Sequence, residues 1–204
     1  MSILKADSVS VFFHEAVDGA MRSRGVTATE GATTYVVSLL SDYAKPTTRA
    51  EEALERPLTL LLDDALHEPN LGERFERLRT VGDGVLYTAG FFADHFEARG
   101  VDPNYVMGIG RTAYHTAGSL LRASSTRDLS QAAKDDLFGE LSENFAAFVA
   151  VIAEVADATV AMGVHGSKGL LKIYERWLKT QSSTLADALS SHGFVPSRGV
   201  RIAS

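Results

Sequence analysis

The sequence predicts an all-α protein, an irregular bundle of about seven to nine helices, and three observations predict it. Apolar residues recur three and four apart through most of the 204 residues, the spacing of one helix face. Capping patterns, in which Ser, Thr, Asn or Asp is followed three residues later by an acid or amide, open one apolar stretch after another. Glycine and proline stand where those stretches end, as at Gly25, Pro46, Gly100 and Gly193, which is how helices are punctuated.

The elements follow in order. Phe13, Val17, Ala20 and Met21 mark a helix that stops at Gly25. Thr27-x-x-Glu30 opens a second, with Tyr35, Val36, Leu39, Leu40 and Tyr43 on one side and Pro46 as its end. Thr33 to Val37 has strand propensity, but the i, i+4 pairs 35/39, 36/40 and 39/43 favour helix. Thr48-x-x-Glu51 caps the next, and Pro57 either kinks it or starts a new helix running to His67. Asn70-x-x-Glu73 opens a helix whose stripe is Leu71, Phe75, Leu78, Val85, Ala89, Phe92 and Phe96, ending at Gly100. Asp102 and Pro103 then form an N-cap and first-turn pair. The helix they open carries a wide apolar arc from Val106 to Leu121, which makes it central.

Asp128-x-x-Gln131 is expected to cap the longest helix, reaching Gly163. Phe138, Leu141, Phe145, Phe148, Ile152, Val155 and Thr159 alternate three and four apart along it, a heptad pattern. At the α-helical rise such a helix spans roughly 50 Å. Ser167 starts another, with Leu170, Leu171, Tyr174, Trp177 and Leu178 expected inward, and Thr184-x-x-Asp187 caps a last short one. Short loops favour one helical domain over residues 1–204, with 164–204 as basic C-terminal helices and tail.

Composition narrows the function. Hydrophobic residues make up 45% and charged residues 23%, so the chain can bury a core without metals or disulfides. It has no cysteine, which excludes disulfides, thiolate zinc sites and a cysteine nucleophile. Twenty-six acids against twenty bases give a net charge of −6, and no nucleic-acid partner is expected. No apolar region follows a basic start, so no secretory signal is expected and the cytoplasm is the expected compartment. The apolar window 146–163 has the length of a membrane span, but Glu154 and Asp157 interrupt it. An acid at the centre of a span costs about 2.5–3.5 kcal/mol, so a buried helix is the expectation.

No complete catalytic or metal-binding set stands in the sequence, and neither a cofactor nor a catalytic residue is expected. Asp63-Asp64 with His67 and Asp135-Asp136 with Glu140 have helical metal-site spacing. The first lacks a second-turn acid, and the second sits at a helix start, where acids favour the dipole anyway. His95 and His115 fit a half-buried and a solvent-facing histidine.

Three regions remain. Gly82, Gly84, Gly90, Gly108, Gly110 and Gly118 fall inside two helices, where each costs about 1 kcal/mol against alanine. Close helix packing accounts for them; so does a ligand crevice with Asp83, Tyr87, Tyr105 and Tyr114 as its polar contacts. The heptad seam offers Phe145 and Phe148 to a second copy, making a self-associating, non-enzymatic interaction protein the leading expectation and a small-ligand binder the alternative. Finally, residues 1–163 carry 24 acids against 14 bases, while 164–204 carry two against six. Lys168, Lys172, Arg176 and Lys179 form a basic stripe that suits an acidic protein surface or, less readily, anionic lipid.

The segment Arg77 to Gly118, with its L-Y-x-x-G-F-F and Y-V-M-G motifs, together with Thr34 to Ala44, covers about a quarter of the chain. It resembles a family of all-helical proteins found in Gram-negative bacterial genomes, a family without an assigned activity. The resemblance implies a bacterial cytoplasmic domain and carries over no site residue.

Overall fold

A computed structural model describes residues 3–44, 56–92, 96, 100–124, 136–162 and 167–194, with side chains from Val9 in the first stretch and from Gly169 in the last. Among these residues the fold is all-helical, with nine helices and no strand. They are α1 (Ile3–Arg24), α2 (Glu30–Tyr43), α3 (Leu58–Leu66), α4 (Leu71–Phe91), α5 (Pro103–Ser124), α6 (Leu137–Glu143), α7 (Phe145–Met162), α8 (Ser167–Thr180) and α9 (Ser183–Ser191). The Thr48 and Asp128 capping boxes, His95, Asp135, the Lys168 side chain and the tail beyond Phe194 lie outside the described residues. The chain divides into two compact units, Met1–Ala153 and Glu154–Ser204, and the division falls inside α7.

In the first unit, α4 and α5 form the most extensive helix pair. Asn70 caps α4 as its spacing foretold, accepting from the amides of Gly72 and Glu73 at 2.9 and 3.1 Å. Asp102 receives the Asn104 amide ahead of α5 at 2.9 Å. From Val81 to Gly90 nearly every residue of α4 is buried, so this stretch is core on all sides. The helix ends at Phe91 rather than running on to Gly100, and Phe92, with φ −126°, is its C-cap.

The expected start of α2 is corrected, and one of the two readings of Pro57 holds. Thr29, not Thr27, caps α2: its hydroxyl oxygen accepts from the Ala32 amide at 3.2 Å. The same residue donates its amide and hydroxyl to the two oxygens of Glu140 on α6, at 2.8 and 2.5 Å. Pro57 starts a helix and does not kink one.

The long heptad helix is also corrected. Asp136 caps a 7-residue helix, its carboxylate accepting from the Gly139 amide at 2.9 Å. Asn144 then leaves helical geometry before α7 begins. Asparagine is a poor interior helix residue and sits here on the exposed side. The backbone bonds from the Asn144 amide to Glu140 and from the Phe148 amide to Asn144, both 3.0 Å, persist across it. The departure is therefore one residue long, which is why the three-and-four spacing runs through it undisturbed.

The second unit is built on Ile173, Trp177, Leu185 and Leu189, with Leu170 and Tyr174 packed against them. Gln181 turns the chain between α8 and α9 with φ 53°, in the left-handed region, and its side-chain amide donates to the carbonyls of Trp177 and Leu178 at 3.0 and 3.1 Å. Ser182, rather than Thr184, caps α9. The Ser182 hydroxyl donates to buried Glu154 at 3.2 Å, and the Thr184 hydroxyl donates to the same oxygen. Asp157, also buried, takes Nε of Arg176.

Candidate functional site

The most developed side-chain constellation lies in the first unit and begins with the dipeptide Gly82-Asp83 on α4. A β-carbon on Gly82 would stand 2.5 Å from the Tyr114 ring, so glycine there is what lets α5 bring that ring onto α4. The Tyr114 hydroxyl then donates to Oδ1 of Asp83 at 2.7 Å. Tyr35, from α2, donates to the same oxygen at 2.6 Å. The guanidinium Nε of Arg79, one turn earlier on α4, stands 4.0 Å from the other carboxylate oxygen. Phe138 of α6 packs against both tyrosine rings, with centroids 5.6 and 5.7 Å away. One carboxylate thus joins three helices, and a fourth covers it.

The electrostatics follow from burial. Loss of solvent pushes the Asp83 carboxyl above the usual carboxylate range, against the two tyrosine hydrogen bonds and Arg79, which pull it down. Burial, and then the Asp83 charge, hold the phenols of Tyr35 and Tyr114 far above their ordinary value. Both tyrosines therefore remain neutral donors at physiological pH. The chemistry this arrangement performs is hydrogen bonding to a desolvated carboxylate, which fixes the positions of α2, α4 and α5.

Of the four residues expected to line a crevice, the structure brings together Asp83 and Tyr114. Tyr87 lies one turn further along α4 and stacks on Tyr43 at 4.4 Å and on Phe91 at 5.1 Å. Tyr105 is 56% exposed. Tyr35 was not among the four; a tyrosine on an apolar stripe needs a partner for its hydroxyl, and that was the signal available. The space opened by the glycines is filled from within. A β-carbon on Gly110 would strike Phe145 and Val85, one on Gly90 would strike Ile152, and one on Gly118 would press on Phe138. Gly108 faces open space.

The residues expected at protein-facing surfaces are also redistributed. Phe145 and Phe148 are 0% and 1% exposed. Phe145 packs on Tyr114 at 5.8 Å, so these two phenylalanines belong to the core, while Thr159 further along the seam is exposed. On α8, Lys172 is exposed, Arg176 is turned to Asp157 and Lys179 has a partner of its own. The inward side of α8 carries Leu170, Ile173 and Trp177. Leu171 and Leu178, expected inward, are instead 57% and 47% exposed. They stand seven residues apart, on one face, because the Arg176–Asp157 pair and the Ile173/Trp177 contacts set the rotation of the helix.

The acidic pairs read as possible metal ligands have other partners. Asp64 pairs with Arg56 at 2.8 Å, Asp136 with Arg122, and Glu140 with Thr29. Among the described residues, no cluster of three His, Asp or Glu side chains is placed to hold a metal ion. One described helix, Phe145–Met162, is long and apolar enough to cross a membrane by length and composition. Compared with protein-family models, curated proteins and solved structures, the chain matches none.

Proposed function

We propose that the protein is a non-enzymatic interaction protein that self-associates through the outer face of α8. The observation that carries this reading is the exposure of Leu171 and Leu178 on one face of a helix whose other face is already packed. Full burial of a leucine is worth about 1.5–3 kcal/mol, and each of these is near half exposed, so roughly 1 kcal/mol per leucine is still to be gained on contact. Lys172 stands beside them and adds a charged margin, the usual arrangement at the edge of an apolar contact. The same reading places the protein in the cytoplasm: the two acids of Phe145–Met162, the one described helix of membrane length, are tied to side chains of α8 and α9, ties that insertion into lipid would have to break.

Sedimentation velocity over a range of concentrations tests the proposal. The expected result is a concentration-dependent oligomer that L171D/L178D converts to a monomer with unchanged helical circular dichroism. A wild-type chain that stays monomeric throughout overturns it.

A further inference from the structure

The contact between Tyr35 and Asp83 joins a phenol to a base, and a phenol so placed has a chemistry beyond holding helices together. We propose that Tyr35 is a site of one-electron oxidation, in which an outer-sphere oxidant takes an electron from the ring while Asp83 takes the hydroxyl proton. Three observations argue for it.

The first is the hydrogen bond itself. The Tyr35 hydroxyl stands 2.6 Å from Oδ1 of Asp83, within the reach that proton transfer to a side-chain base requires. A phenol that loses an electron becomes a strong acid, so its oxidation is easiest where a base already waits for the proton. In solvent that base is a water molecule; here it is a carboxylate in direct contact. The second is the strength of the base. Burial raises the Asp83 carboxyl above the usual range, so this carboxylate holds a proton more firmly than one in solvent does. The third is access. The Tyr35 ring is partly exposed, whereas Tyr114, whose hydroxyl meets the same oxygen, is 0% exposed. An oxidant in solution therefore meets Tyr35 and not Tyr114.

The step balances within the site. The O–H bond of Tyr35 breaks, its proton bonds to Oδ1 of Asp83, and the electron passes to the oxidant, which is reduced by one electron. A neutral phenoxyl radical is left beside a neutral carboxylic acid, so no unpaired charge is stranded away from water. The hydrogen bond survives with its direction reversed, the carboxyl now donating to the phenoxyl oxygen. One carboxylate accepts one proton, so the site stores a single oxidising equivalent although two tyrosines meet there. A one-electron reductant returns the electron, and Asp83 returns the proton.

The experiment uses the whole chain with a photogenerated ruthenium(III) polypyridyl complex as the oxidant. Transient absorption and freeze-quench electron paramagnetic resonance follow the tyrosyl radical. Wild type should form it in a fast phase that slows in deuterium oxide, because the O–H bond breaks in the step. Y35F should remove this phase, and Y105F, which alters an exposed tyrosine, should leave it. D83N should slow it by about a hundredfold or more, the loss expected when a positioned base is removed. If D83N does not fold, Y35F and the isotope effect carry the test. A fast phase that survives Y35F, that keeps its rate in folded D83N, or that ignores deuterium overturns the proposal. So does a radical lost in Y114F and kept in Y35F, which would put the oxidation on the buried ring.

Discussion

The hydroxyl of Tyr35 reaches Asp83 across 48 positions of sequence and donates to a carboxylate oxygen at 2.6 Å. That oxygen also accepts from Tyr114, so removing either hydroxyl leaves the carboxylate with one donor and removing both leaves it with none. Y35F and Y114F should each lower unfolding free energy by about 1–2 kcal/mol. The double variant should lose more than the sum of the two, because the second loss strands a desolvated acceptor. Urea denaturation of the four proteins measures the coupling.

Asp83 also gives the protein a pH dependence with a definite sign. Its folded value is raised by burial, so the folded state holds the proton more tightly than the unfolded chain does. The stability this contributes is complete below the unfolded aspartate value of about 3.9 and is lost as pH rises through the raised folded value. Wild type should therefore lose stability relative to D83N over that window and run parallel to it above. Wild type gaining stability relative to D83N as pH rises would contradict the assignment.

Two glycines of the central helix pair should respond in opposite directions to alanine. G82A drives a β-carbon against the Tyr114 ring, which is fully buried and has nowhere to move; overpacking of this kind costs about 1–3 kcal/mol. G108A meets nothing within 4 Å and should stabilise by about 0.5–1 kcal/mol, the helical preference of alanine over glycine. Thermal melts of the two variants provide the comparison.

In the second unit, Arg176 is the cation that compensates buried Asp157. R176M leaves that carboxylate unpaired and should cost about 3–5 kcal/mol. D157N/R176M removes the stranded charge and should recover most of the loss. Chemical denaturation followed through Trp177, which packs in the core of this unit, monitors both variants.

What the sequence disclosed and what it withheld divide along a physical line. Asn70 and Asp102 could be placed because each cap is settled within three residues of itself. The caps of α2 and α9 were placed two residues away from their true positions because several hydroxyls crowd each start. Distant carboxylates engage them as well: Glu140 accepts from the Thr29 hydroxyl, and Glu154 accepts from both Ser182 and Thr184. Periodicity identified Phe145 and Phe148 as seam residues but not what the seam faces, and their partners prove to be in the chain's own core. On α8 the apolar residues occupy too much of the circumference for spacing alone to tell Ile173 from Leu171. Asp83 and Tyr114 are legible as two of the four polar residues set between the glycine-bearing helices; Tyr35 is not, since nothing local to α2 shows where its hydroxyl goes.

Because the division between the two units falls within α7, the halves cannot be separated by cutting there. A truncation after Ala153 would sever a hydrogen-bonded ladder in mid-course and leave a frayed apolar stump on each product. Any attempt to express either part alone has to carry the whole of Phe145–Met162 with it.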